Sequence, residues 1–139
     1  MDYLNSYFPY NDSLKIPKIV NILIETDLSA VVLKKFLESL KVKNVKIVYD
    51  LGNANALKID TLHFLRILYK KIFEIHLKDR SSKEGNSYRL GSSDTPFANI
   101  ASELNKLGWS GLVTLETPIF NNWKDEAIHN ISFANNWIQ

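Results

Sequence analysis

Three carboxylates and one imidazole recur at one kind of place along this chain: Glu25, Asp50, His76 and Glu116. Each stands at or near the end of a short run of alternating side chains, in residues 19–25, 45–50, 71–80 and 112–116. That period sends successive side chains to opposite sides of a strand. The four therefore fall at the carboxyl ends of four predicted strands, on one inner face. Oxygen-rich ligation with a single histidine suits an octahedral divalent ion, Mn²⁺, Mg²⁺ or Co²⁺, better than structural Zn²⁺. The competing reading is four separate, solvated loop-edge residues that share no ligand.

The elements that must position these groups follow from the same alternation. In Lys71-Lys-Ile-Phe-Glu-Ile-His-Leu-Lys-Asp-Arg80, the pattern predicts Phe73, Ile75 and Leu77 on one face and Glu74, His76 and Lys78 on the other. Three consecutive inner-face polar groups cost too much to be packing alone, so this strand reads as the wall of a polar site. The same parity predicts Val20, Ile22 and Ile24 outward with Asn21, Leu23 and Glu25 inward. It sets Val45, Ile47 and Tyr49 against Lys46, Val48 and Asp50, and Val113 and Leu115 against Leu112, Thr114 and Glu116.

Helices are predicted between the strands. Asp27 or Ser29 caps one that runs to about residue 41, with Leu33, Phe36, Leu37 and Leu40 on its stripe. Gly52-Asn53-Ala54-Asn55 is expected to break the second strand. Asp60 then caps a helix to about residue 69, buried through Leu62, Leu65 and Leu68. After a polar loop over 81–93, Asp94 or Thr95 caps the next helix, with Pro96 at its first position and Gly108 past its end. A final helix is expected over 123–136, and residues 1–18 read as a short helix or irregular lead-in. Four β-α units in succession build a parallel sheet with right-handed crossovers, an α/β fold. One aliphatic face and one mixed face suit a barrel wall better than a doubly wound sheet, which needs both faces apolar.

At 139 residues the chain fits a single domain with a real core: the lead-in plus four βα units over 19–139. Its 45% hydrophobic and 23% charged content is that of an ordinary globular protein. A net charge of +2 gives no electrostatic case for nucleic acid or a membrane surface. The absence of cysteine excludes disulfides, thiolate metal sites and cysteine nucleophiles. No apolar run approaches the ~20 residues that span a bilayer. Met1-Asp-Tyr-Leu-Asn lacks the basic region and apolar core of a signal peptide, so a cytoplasmic location is expected.

Ile24-Glu25-Thr26, Tyr49-Asp50-Leu51-Gly52-Asn53, Ile75-His76-Leu77-Lys78-Asp79-Arg80, Leu90-Gly91 and Leu115-Glu116 together resemble the xylose isomerase-like (βα)8 TIM-barrel superfamily. That family contains sugar and sugar-phosphate isomerases and epimerases, inositol-catabolism enzymes and the endonuclease IV type of nuclease. The resemblance runs from about residue 19 to the C-terminus and covers only the second half of the barrel, strands five to eight. It implies that Glu25, Asp50, His76 and Glu116 are the ligands of a divalent metal. It also implies that Glu25 and Glu116 do the chemistry, one removing a proton beside a metal-polarised carbonyl to leave an enediolate, the other returning one from the opposite face. Asn53, Lys78 and Arg80 match substrate-binding positions, with Arg80 a charge partner for the enediolate or a phosphate. Two departures stand out. Many sugar epimerases have histidine where Asn53 stands, and the turn before the corresponding helix has Ser93 for a usual glycine and Pro96 for a common acid.

The expected function is thus a metal-dependent isomerase or epimerase acting on a small sugar or sugar phosphate. A non-catalytic remnant of the same fold is the first alternative. A nuclease is the second, and it calls for many histidines and a basic groove where this chain has three histidines. His63 and His129 read as surface or boundary residues and Glu74 as a solvated or salt-bridged barrel-interior residue in preference to a second base. Asp79 is expected to orient a ligand or Lys78, and Trp109, Trp123 and Trp137 to be core or interface aromatics. Four strands alone leave two unpaired edges, so a homodimer or a partner supplying strands one to four is expected.

Overall fold

The computed structural model describes residues 20–40 and 44–137, so the predicted lead-in and the first residue of the first predicted strand lie outside the described residues. In chain order the elements are β1 (Ile22–Ile24), α1 (Ala30–Ser39), β2 (Val45–Asp50), α2 (Leu51–Ala56), α3 (Thr61–Leu68), a 3-10 turn (Tyr69–Lys71) and β3 (Ile72–Leu77). There follow β4 (Asp79–Arg80), β5 (Ser87–Tyr88), α4 (Phe97–Leu107), β6 (Leu112–Leu115) and α5 (Trp123–Trp137). Strands β1, β2, β3 and β6 form one parallel sheet in that order, and β4 and β5 form a small antiparallel hairpin. The alternation of strand and helix expected from the sequence is therefore present, with β1 and β6 at the sheet's two edges.

The core lies between the outer face of the sheet and the helices. Ile47, Tyr49, Ile75 and Leu77 pack there with Leu33, Phe64, Leu65, Ile100 and Leu104, all buried. Burying each such side chain contributes about 1.5–3 kcal/mol. Tyr49 stacks on Phe64 with ring centroids 4.1 Å apart, and its hydroxyl donates to Thr61 Oγ1 at 3.1 Å. Burial pushes the Tyr49 phenol up to about 12. The indole of Trp137 is buried and donates to Phe97 O, whereas Trp123 is exposed.

Several local expectations are corrected. The β2–β3 register slips between Ile47 and Val48: Ile47 pairs with Ile72, but Val48 pairs with Glu74. Phe73 is the extra residue of a bulge and stands exposed, so the buried face of β3 is Ile72, Ile75 and Leu77. The second strand does end at Asp50, as expected, but the segment that follows it is helix α2, capped by Asp50, with Leu51 and Ala54 buried. The residue before α4 is Pro96, and neither Asp94 nor Thr95 caps that helix with its side chain. Asp94 accepts hydrogen bonds from Ser82 and Asn55 instead. The polar loop over 81–93 contains strand β5. Finally, all four residues of β6 are exposed, including Val113 and Leu115, which parity had placed under helices. An edge strand covered on few sides leaves even its outward residues in water.

Candidate metal and acid–base site

The inner face of the sheet meets its carboxyl edge at Glu25, Asp50 and His76. Each offers a ligand atom, and these atoms lie within 4.8 Å of one another. Asp50 ends β2 and also caps α2, its Oδ1 accepting from Asn53 N at 2.7 Å. Its Oδ2 is buried with no hydrogen-bond partner. His76 stands beside Asp50 because the two are paired in register. Its Nδ1 lies 3.8 Å from Glu25 Oε2 and 2.9 Å from Glu116 Oε2. Nδ1 is buried and makes no well-aligned hydrogen bond to either carboxylate.

Glu25 is steadied from the side. Asn53 Nδ2 donates to Glu25 Oε1 at 3.1 Å, and Asn53 Oδ1 accepts from Arg80 Nη1 at 2.7 Å. Arg80 spends its other donors on Gly85 O, from Nε at 2.9 Å and Nη2 at 2.6 Å. The guanidinium thus acts on the site through Asn53 in this arrangement. Glu116 touches this trio at His76 but is not among the three whose ligand atoms all lie within 4.8 Å of one another. Lys78 Nζ donates to its Oε1 and lies 3.6 Å from Asp50 Oδ2.

The electrostatics follow from those contacts. The Lys78 hydrogen bond holds the Glu116 carboxyl below its ordinary range, against an opposing effect of burial. Burial draws the Lys78 ammonium down, but its contacts with Glu116 and Asp50 outweigh this and leave it raised. At Asp50 burial wins: the carboxyl is raised although Asn53 N–H and Lys78 pull it down, and the charges of Glu116 and Glu25 push the same way as burial. Two unit charges 4 Å apart at an effective dielectric near 20 interact by about 4 kcal/mol, so carboxylates brought this close favour added positive charge, of which Lys78 supplies part at Asp50 and Glu116. A divalent ion supplies that relief. Two carboxylates and one imidazole, with Asp50 Oδ2 and His76 Nδ1 buried and making no hydrogen bond, are a set that fits such an ion.

The other sequence candidates fall elsewhere. Asp79 is wholly buried and ties down the loop before α4, accepting from Ser93 N at 2.9 Å and Thr95 N at 3.4 Å, so it orients neither a ligand nor Lys78. His63 is exposed, and His129 Nε2 is 2.8 Å from Leu90 O, both away from the trio. Glu74 lies 3.3 Å from His76 Nε2, a proximity its place two residues before His76 on the same face already signalled.

Comparison with known proteins comes to the same architecture. A family model described as xylose isomerase-like TIM barrel matches residues 18–137. A xylose isomerase domain protein from Planctomyces limnophilus superposes with a TM-score of 0.69 at 21% identity, over 84% of this chain and 44% of that one. An L-ribulose 3-epimerase gives 0.68 at 18% identity, over 85% and 46%. The D-psicose 3-epimerase of Clostridium cellulolyticum H10, solved with D-tagatose, gives 0.66 at 16%, over 86% and 50%. The chain spans about half the length of the structures it matches, and at these identities the likeness is one of fold. No curated protein sequence matches it. Among the described residues, no helix is long and apolar enough to cross a membrane.

Proposed function

Because the chain belongs to the xylose isomerase-like TIM barrel family, with about four of the barrel's eight βα units present, we propose that it carries the metal-binding, proton-transferring half of a sugar or sugar-phosphate isomerase or epimerase. The observation that supports this most is the pair of buried atoms that make no hydrogen bond, Asp50 Oδ2 and His76 Nδ1, beside the Glu25 carboxylate. Glu25, Asp50 and His76 would hold Mn²⁺, Mg²⁺ or Co²⁺, with Glu116 as the fourth ligand. When bound, the ion polarises a substrate carbonyl and the neighbouring hydroxyl, acidifying the C–H between them.

The residues of the chain divide the remaining work. Asn53 fixes Glu25 Oε1 and leaves Oε2 free to take or give a proton. Lys78 keeps Glu116 ionised, and so ready to act as the opposing base. Proton removal at one face by one glutamate and return at the other by its partner inverts the carbon through an enediolate. Lys78 and Arg80 bring positive charge toward that enediolate or a substrate phosphate, and Asn53 offers its amide to a substrate hydroxyl. The proposed partner is a small sugar, not nucleic acid or membrane, in the cytoplasm. The chain is one unit over 1–139, and its site is completed by a second copy or by a polypeptide that supplies strands one to four.

The test is solvent exchange. With Mn²⁺ present in D2O, deuterium is expected to enter a ketose at the reacting carbon, and Glu25→Gln or Glu116→Gln to stop its entry. Exchange that persists in both variants contradicts the two-glutamate chemistry. A metal-loaded assembly that exchanges no ketose of a broad panel, phosphorylated or not, leaves the non-catalytic remnant as the better reading.

A further inference from the structure

Glu74 is the inner-face carboxylate of β3 that the proposed chemistry does not use. It is held from two sides. Thr114 Oγ1, on the neighbouring β6, donates to Glu74 Oε1, and the same oxygen lies 3.3 Å from His76 Nε2. The Glu74 and His76 side chains are 15% and 18% exposed, so the contact is largely shielded from water. The backbone dictates the grouping: Glu74 and His76 share a face by the strand period, and Thr114 is the register partner of His76.

Carboxylate oxygens face both ring nitrogens: Glu74 Oε1 lies 3.3 Å from Nε2 and Glu116 Oε2 lies 2.9 Å from Nδ1. A nitrogen that ligates a cation must keep its lone pair, which leaves the ring proton on the other nitrogen. Nδ1 is the buried nitrogen turned toward Glu25 and Glu116 and makes no hydrogen bond, so with a cation there the proton sits on Nε2, facing Glu74. The two nitrogens of His76 therefore have separate assignments, one toward Glu74 and one toward the carboxylate cluster.

We infer that Glu74 is a positioning residue: it fixes the tautomer and ring orientation of His76, and Thr114 fixes Glu74, so that Nδ1 is presented to a divalent cation. This rests on reading Glu25, Asp50 and His76 as metal ligands. A carboxylate behind a ligating imidazole makes it a better ligand, and loss of such a partner costs about 10- to 100-fold in metal affinity. A Glu74 that merely balances charge on the inner face would leave the His76 tautomer unmoved.

The experiment combines Mn²⁺ titration calorimetry with long-range ¹H–¹⁵N spectra of the His76 ring, recorded on the full chain with diamagnetic Mg²⁺. Wild type is compared with Glu74→Ala, Glu74→Gln and Thr114→Val. Wild-type His76 is expected to be protonated at Nε2. Glu74→Ala should lose about 10- to 100-fold in Mn²⁺ affinity and give a mixture of tautomers. Glu74→Gln, which keeps a carbonyl acceptor, should recover most of both. Thr114→Val removes a hydroxyl from an exposed strand and serves if Glu74→Ala fails to fold. Unchanged affinity and an unchanged Nε2–H tautomer in the folded variants overturn the role of Glu74 while leaving the metal site standing. A wild type that binds no Mn²⁺ overturns the metal reading, and this inference with it.

Discussion

Asp50 has two oxygens with different tasks, and that division makes its energetics testable. Oδ1 caps α2 while Oδ2 is buried without a hydrogen bond, 3.6 Å from Lys78 Nζ. Burial raises the carboxyl above its ordinary 3.8, so folding favours the protonated form. Its contribution to stability is present below the unfolded value and is lost as pH rises through the raised one. Asn at this position keeps the cap and removes the charge. In chelator, Asp50→Asn is therefore expected to melt above wild type at pH 7, and the gap should close as pH falls below 3.8. Melting curves across that range decide it, and a lower melting temperature for Asp50→Asn at pH 7 contradicts the reading. Glu116 has the opposite sign. Lys78 holds it below its ordinary 4.5, so its contribution is present above that value and is lost as pH falls through the lowered one. With the Glu116 side chain 45% exposed, solvent screening limits the pair to about 0.2–1 kcal/mol. Denaturant titration of Glu116→Gln at pH 7 should show a loss of that size.

Between elements, Gly52 marks a close approach of α2 to the backbone at Lys78, between β3 and β4. A Cβ there would meet Lys78 O at 2.7 Å and Lys78 C at 2.9 Å, backbone atoms that cannot rotate away. Gly52→Ala is expected to cost about 1–3 kcal/mol and to move Lys78 away from Asp50, which urea unfolding and the metal titration would both register. This contact also shows where reading the sequence ended. Features set by local chemistry were legible: the strand alternation, the Asp60 cap whose Oδ1 accepts from His63 N at 2.9 Å, and Gly108 closing α4 at φ 63°. Features set by a neighbour were not. The Phe73 bulge is a property of the β2–β3 register, invisible in one strand's alternation. Helix α2 has the composition of a turn, and what makes it helical is the Asp50 cap and the burial of Leu51 and Ala54. Parity put Lys78 and Glu116 on one face, but only the β3–β6 pairing shows that they meet, leaving Glu25, Asp50 and His76 as the compact group.

For the whole molecule, the open side is the β6 side. Leu112 is 55% exposed at the sheet edge, and Phe120, Trp123, Ile128 and Ile131 extend the apolar surface across the following loop and α5. In a complete barrel another βα unit would pair with that edge, and an unpaired apolar edge is a template for another chain. The chain is expected to associate, either as a two-fold dimer near twice its 16.0 kDa or with a polypeptide that supplies strands one to four. Light scattering at low micromolar concentration reads this directly. A sharply melting monomer would mean that the edges are protected within one chain, and the case for assembly would be lost.

The most direct test of the central reading is a Mn²⁺ titration of the full chain, followed by calorimetry or by the loss of the free-ion EPR signal. One ion per chain is expected for wild type, with a rise in melting temperature, and both should disappear in His76→Ala and in Asp50→Asn. No binding by wild type, or binding that survives both substitutions, would show that Glu25, Asp50 and His76 do not form the metal site.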